Sequence, residues 1–133
     1  MRIAICDDVK IFLVQLKAML IGYYPYKDVP LEIDEFSSGE ELLKVFSADR
    51  YDAVILDVEM KAVNGLQTAH EIRKADELVT IAFHTSYNKL NLSDYEIGRY
   101  IHMEKGQSNK VYQEQFSELF SCCGRNAGSS APK

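Results

Sequence analysis

The sequence predicts an α/β fold, a doubly wound five-stranded parallel sheet with helices on both faces. Three observations carry that expectation. Strand-length apolar runs alternate with stretches whose apolar residues recur at helical spacing. The runs are hydrophobic nearly throughout, as strands covered on both faces must be. The 133 residues, 47% of them hydrophobic, suffice for one core without disulfides.

In chain order, the first strand is read at Arg2–Cys6, where Arg-Ile-Ala-Ile-Cys runs into a pair of aspartates. A helix follows over 11–21, then a second strand over 31–36. Ser37-Ser38-Gly39 is a helix entry, and apolar spacing continues it over 40–46. Ala-Val-Ile-Leu makes the third strand at Ala53–Leu56, and Asn64-Gly65 opens a third helix over 66–72. The fourth strand is read at 79–84 and the fifth at 100–103, with a weaker helix between them over 89–96. A last helix over 109–120 would bury Val111, Phe116, Leu119 and Phe120. From Cys122 onward the composition is small and polar, without an apolar period. The domain is therefore drawn at 1–121, and 122–133 is expected to be a tail, disordered or artificially added.

Fifteen basic against twenty acidic side chains give a formal net charge of -5, which disfavours a general nucleic-acid-binding surface. Cys6, Cys122 and Cys123 have neither a disulfide framework's number nor a metal site's spacing, which fits a reducing cytosol. The first apolar run is too short for a signal sequence or a membrane span.

A doubly wound sheet places its ligand site beyond the C-terminal strand ends, where the strand order reverses. Asp7 and Asp8 directly follow the first strand and Asp57 the third, so three carboxylates converge on one sheet edge. Carboxylates with water suit Mg²⁺, and a cation relieves the repulsion among grouped negative charges. Asp7 or Asp8 could also cap the first helix, but capping does not account for an apolar strand that delivers Asp57. Thr85 and Lys105 follow the fourth and fifth strands and add a hydroxyl and an ammonium suited to phosphoryl oxygens. Singly they are ordinary surface chemistry; together with the acids they point to phosphoryl transfer. His70, Glu71 and His84 lack metal-ligand spacing, and Tyr23-Tyr24-Pro25-Tyr26 reads as packing at the sheet edge.

From Arg2 to about Phe120 the chain resembles the receiver domains of two-component response regulators. The resemblance lies in the order and spacing of Cys6-Asp7-Asp8, Leu56-Asp57-Val58-Glu59-Met60, Asn64-Gly65-Leu66, Thr85-Ser86-Tyr87 and Lys105. The Cys-Asp-Asp opening and the Thr85-Ser86-Tyr87 run are most similar to receivers of LytTR-type transcriptional regulators. The resemblance implies a flavodoxin-like sheet of order 2-1-3-4-5 and phosphorylation of Asp57 by a sensor histidine kinase or a small phosphodonor. It implies Mg²⁺ held by Asp8 and Asp57 directly, by Asp7 through water, and by the backbone carbonyl of Glu59. Lys105 is expected to pair with the phosphoryl oxygens and Thr85 to swing onto one of them. His102 occupies the place of the aromatic that rotates inward on activation. The implied protein is a cytoplasmic signalling module, not an enzyme for outside substrates, and has no membrane contact. Its switched surface would meet a partner or a second copy, with DNA reached only through an output domain missing from this chain.

Some positions depart from the family pattern. Gly106 stands where a proline with a cis bond is usual; a non-proline cis peptide costs about 3 kcal/mol, so a trans bond and a differently placed Lys105 are expected. Lys61 and Ala62 replace a Pro-Gly pair, and Ser86 replaces a small alanine. Two alternatives stay open. One is a degenerate receiver that binds partners without phosphorylation, suggested by Gly106 and Lys61. The other is an aspartyl-nucleophile phosphohydrolase, although such enzymes generally place an Asp where this chain has Glu59.

Overall fold

The computed structural model describes residues 1–61 and 63–126; Ala62 and residues 127–133 lie outside them. Nine elements follow in order: β1 (Arg2–Cys6), α1 (Lys10–Tyr23), β2 (Glu32–Phe36), α2 (Gly39–Val45), β3 (Ala53–Leu56), α3 (Gly65–Ala75), β4 (Thr80–Thr85), β5 (Ile101–Glu104) and α4 (Asn109–Asn126). All strand pairs are parallel and the sheet order is β2-β1-β3-β4-β5, the topology expected of the sequence. The order reverses at β1, so the ends of β1 and β3 flank the crevice where such sheets bind ligands.

Two apolar layers hold the sheet. On one face Ile3, Ile5, Ile55 and Ala82 meet Leu13, Leu16 and Leu20 of α1 and Tyr112, Phe116, Leu119 and Phe120 of α4. On the other, Ala4, Val54, Leu56, Ile81 and Phe83 meet Leu42 of α2 and Leu66, Ala69 and Ile72 of α3. Each such fully buried aliphatic contributes roughly 1.5–3 kcal/mol relative to exposure. The Tyr23 to Tyr26 run packs as expected: Tyr24 meets Phe120 edgewise, and the Tyr26 hydroxyl donates to the Phe120 carbonyl.

Local signals set the helix starts. Ser38 accepts from the Glu41 N–H, and Glu41 Oε1 accepts from the Ser37 N–H. Asn64 and Gln67 form a reciprocal capping box on α3. Neither Asp7 nor Asp8 caps α1: Val9 holds the N-cap position, and no side chain caps it.

Two expectations require correction. No helix forms over 89–96, so the described residues hold four helices rather than five. Asn91 instead turns the chain locally, its Oδ1 accepting from both the Ser93 N–H and the Ser93 hydroxyl, a competition that short polar side chains commonly win over helix. Ile97, Leu90, Leu92 and Tyr95 still bury apolar surface against the second core layer. Arg73 anchors the segment's end, donating to the carbonyls of Ile97, Glu77, Val79 and Arg99 at 2.7, 2.8, 2.7 and 3.2 Å. Beside it lies a cleft of about 650 Å³ lined by Leu78, Tyr100, Ile101 and Cys122. The second correction concerns the domain end. α4 runs on to Asn126 and Cys123 is buried in the first core layer, so the boundary drawn at 121 falls inside a helix.

Candidate functional site

Sheet pairing brings the acidic residues together. The Asp7 N–H bonds the Phe36 carbonyl and the Asp57 N–H bonds the Cys6 carbonyl, so both aspartates continue the ladder one step past their strands. Their backbones are thereby fixed while their side chains project from the C-terminal edge. One carboxylate oxygen each of Asp7, Asp8 and Asp57 lies within 4.8 Å of the other two. Asp7 and Asp57 are buried, and Asp8 is more open.

Lys105 closes the group. Its Nζ lies 2.9 Å from Asp7 Oδ2 and 3.1 Å from Asp57 Oδ2, and sits 3.8 Å from the centre of the Phe12 ring. The Lys105–Gly106 bond is trans, as expected, yet the lysine still reaches the acids. Gly106 turns the chain in the left-handed region at φ +84°, which a glycine adopts without the steric cost that other residues incur. The Lys105 N–H also bonds the Thr85 carbonyl at 2.8 Å, tying the fourth and fifth strand ends together.

Three carboxylates against one ammonium leave the cluster short of positive charge. Burial first, and the charge of Asp7 second, push the Asp57 carboxyl above its ordinary pKa, against the opposing pull of Lys105 and the Glu59 N–H. Burial pulls the Lys105 ammonium down, but its contacts with Asp7 and Asp57 outweigh it and hold the pKa above the usual value. Asp7 Oδ1 accepts from the Val9 N–H, whereas Oδ2 faces the Lys105 ammonium. An acidic trio of hard oxygen ligands, within 4.8 Å of one another and balanced by a single ammonium, fits a divalent cation of the Mg²⁺ type.

The sign of this electrostatic cost can be tested. A raised folded-state pKa means that stability falls as pH rises through the carboxylate range toward that raised value. Asp57→Asn removes the charge and keeps the shape. It is therefore expected to raise the thermal midpoint by a few degrees at neutral pH in Mg²⁺-free buffer. A lower midpoint would mean that pairing with Lys105 outweighs burial and repulsion.

A pocket of about 380 Å³ opens over the cluster, lined by Asp8, Asp57, Glu59, Met60, Ser86 and Lys105 among others. Glu59 is one of its lining residues. Thr85 does not line the pocket; it is buried, and its Oγ1 accepts from the Tyr87 N–H at 3.3 Å. The hydroxyl on the pocket wall belongs to Ser86. Tyr87 links two further residues: its own hydroxyl donates to Glu59 Oε2 at 3.1 Å, and its carbonyl accepts from His102 Nε2 at 2.8 Å. His102, half-buried on β5, is therefore hydrogen-bonded to the loop that follows Thr85. Sequence reasoning missed Phe12, whose position one helical turn into α1 gave no chemical signal. It also missed the Glu59–Tyr87 bond. Cys6 contacts the Met60 sulfur, and burial pushes its thiol up to about 12, which disfavours the thiolate.

Comparison with known proteins agrees with this geometry. Residues 3–105 match the family model described as the response regulator receiver domain. Stress response regulator protein 1 of Lodderomyces elongisporus is 33% identical over 98 residues, covering 71% of this chain and 26% of that protein. The chain thus spans about a quarter of that curated relative's length. Among solved structures, the response regulator TrrA of Thermotoga maritima, determined in complex with Mg²⁺ and BeF, is 32% identical. Its TM-score is 0.70, with 89% of this chain and 97% of that one covered. The response regulatory domain of mrkE from Klebsiella pneumoniae is 18% identical with a TM-score of 0.78, covering 94% and 99%. The family match starts inside β1 and ends on Lys105, so its span runs from the strand that delivers the acidic pair to the lysine that closes the cluster, and the chain belongs to the response regulator receiver domain family.

Proposed function

We propose that this receiver accepts a phosphoryl group on Asp57 and uses it to switch a partner-binding surface. The observation that supports it most is the Lys105 ammonium within 3.1 Å of Asp57 Oδ2, beside two further carboxylates, with Asp8, Asp57 and Lys105 lining one pocket. In the reaction an Asp57 carboxylate oxygen attacks the phosphorus of a phosphohistidine on a sensor kinase, or of a small acyl phosphate. The P–O bond to Asp57 forms as the bond to the leaving group breaks, and the leaving group takes the electron pair. Lys105 supplies a point charge for the phosphoryl oxygens, the Glu59 N–H donates to Asp57 Oδ1, and Ser86 lines the same pocket.

Asp8 and Asp57 would hold Mg²⁺ directly, with Asp7 and the Glu59 carbonyl completing the set; the complex described for the Thermotoga relative is in line with this. When bound, the cation neutralises phosphoryl charge and the repulsion among the aspartates. Once Asp57 is phosphorylated, a phosphoryl charge near −2 replaces the single charge of the carboxylate and holds Lys105, and Thr85 turns from the Tyr87 N–H toward a phosphoryl oxygen. His102, bonded to the Tyr87 carbonyl, would register that movement.

The kinase needs a docking surface, and α1 offers one. Ile11, Val14, Ala18 and Ile21 are exposed at spacings of three and four on the face opposite the buried Leu13, Leu16 and Leu20. The finer reading is a cytoplasmic transcriptional regulator with a LytTR-type DNA-binding output, supported by the Cys6-Asp7-Asp8 and Thr85-Ser86-Tyr87 runs. DNA would be met through that domain rather than through this acidic one. Among the described residues no helix is long and apolar enough to cross a membrane.

The test is intact-mass measurement after incubation with Mg²⁺ and acetyl phosphate. The expected result is one labile phosphoryl adduct, absent in Asp57→Ala and absent when Mg²⁺ is chelated. No adduct on the wild-type chain would favour a phosphorylation-independent interaction module. Sustained turnover of unrelated phosphate esters would favour a phosphohydrolase.

A further inference from the structure

Tyr112, in the first turn of α4, is 2% exposed, and its hydroxyl sits between two strand ends. It lies 2.8 Å from His84 Nε2 and donates to the Glu104 carbonyl at 3.1 Å. A carbonyl can only accept, so the phenol proton is committed there and His84 Nε2 must carry the hydrogen of the other bond. His84 Nδ1 is left as a buried acceptor without a partner. An apolar pair would fill the same volume without that desolvation cost, so packing alone does not explain the network.

The position of the bridge in the chain gives it meaning. His84 immediately precedes Thr85, and Glu104 immediately precedes Lys105. Tyr112 therefore ties together the residues next to both groups expected to grip the phosphoryl. Phe12 supports the same point, packing edgewise on His84 at 6.1 Å between ring centres while its face takes the Lys105 ammonium. A second bond from α4 reaches β5, where Gln115 Nε2 donates to the His102 carbonyl at 2.7 Å. On the opposite face of the sheet the segment between β4 and β5 forms no helix. Tyr112 of α4 is thus hydrogen-bonded to both strand ends, whereas Phe12 of α1 meets them through ring contacts.

We propose that Tyr112 is a positioning residue that couples the state of Asp57 to the first turns of α4 through its bonds to His84 and the Glu104 carbonyl. This rests on the phosphoacceptor reading above. When Lys105 and Thr85 move onto the phosphoryl oxygens, Glu104 and His84 move with them. The phenol then either follows or abandons two buried polar groups, which burial away from water makes costly. Asn109, Lys110 and Val111, at the exposed start of α4, are free to shift with it.

The experiment is hydrogen–deuterium exchange on the full chain, with and without Mg²⁺ plus beryllofluoride, a phosphoryl mimic. In the wild type, exchange is expected to change by about threefold or more over 57–60, over 85–88 and over 109–116. In Tyr112→Phe the first two segments should respond as before, while 109–116 loses its response. His84→Phe cuts the same bridge from the strand side and should give the same loss, which covers a folding failure of the first variant. A response over 109–116 that persists in either folded variant overturns the proposal, as does its absence from a wild type whose site segments respond. Silence at 57–60 and 85–88 in the wild type removes the phosphoacceptor reading, and this inference with it.

Discussion

Gly65→Ala is expected to lower the unfolding free energy by about 3 kcal/mol, at the upper end of overpacking costs, and to slow phosphoryl labelling of Asp57. A Cβ on Gly65 would stand 1.9 Å from the Asp57 carbonyl oxygen, 2.7 Å from its carbonyl carbon and 2.9 Å from Val58 Cα. All three are backbone atoms, so no side chain can rotate away. The Gly65 N–H bonds the Val58 carbonyl at 2.8 Å, and the Asn64–Gln67 capping box fixes the helix start on the other side. The segment carrying Asp57 must therefore move. Gly22→Ala makes the contrast: Gly22 lies near the end of α1 with nothing within 4 Å of its Cβ position. Alanine there is expected to stabilise by roughly 0.5–1 kcal/mol, since glycine weakens helix interiors. Urea unfolding of both variants measures the difference. A Gly65→Ala protein within about 1 kcal/mol of wild type would show that the close approach of α3 to Asp57 is not a constraint.

That glycine shows which parts of the molecule could be read from the chain. Asn64-Gly65 was legible as a helix entry because capping chemistry is local, but the demand for a missing Cβ comes from a carbonyl eight residues earlier. The strands and the acidic trio were legible for the same local reason: an apolar run that ends in Asp needs no tertiary knowledge to place that Asp at a sheet edge. Sheet register then did the rest, since the Asp57 N–H bonds the Cys6 carbonyl. The helix expected over 89–96 failed where local cues compete. Leu90, Leu92 and Tyr95 do pack on the core, but Asn91 and Ser93 satisfy each other in a turn. The end of α4 was set too early because Cys122-Cys123-Gly124 reads as small and polar, while Cys123 is a buried core residue. Phe12 and Tyr112 looked like ordinary apolar positions of amphipathic helices. What separates them from Phe116 is a neighbour far away in sequence, Lys105 for the first and His84 for the second.

The His84–Tyr112 bridge also has a thermodynamic signature. Burial first, and the charge of Lys105 second, lower the His84 pKa from 6.5 to about 4. Between those two values the unfolded chain binds a proton that the folded one refuses, so stability rises with pH across that window. The contribution is complete above about pH 6.5 and is lost progressively down to about pH 4, a total of about 3 kcal/mol. His84→Phe keeps a ring against Phe12, abolishes the titration and leaves the Tyr112 bond to the Glu104 carbonyl intact. Urea unfolding should therefore show wild type losing about 2 kcal/mol more than the variant between about pH 7 and pH 5. The carboxylates, Asp57 included, titrate in both proteins and cancel in that difference. Identical pH slopes in the two proteins would mean that His84 accepts its proton while folded, which in turn requires a charged imidazole beside the Lys105 ammonium. In that case the bond from Nε2 to Tyr112 would survive, but the neutral, dry bridge on which coupling to α4 depends would not.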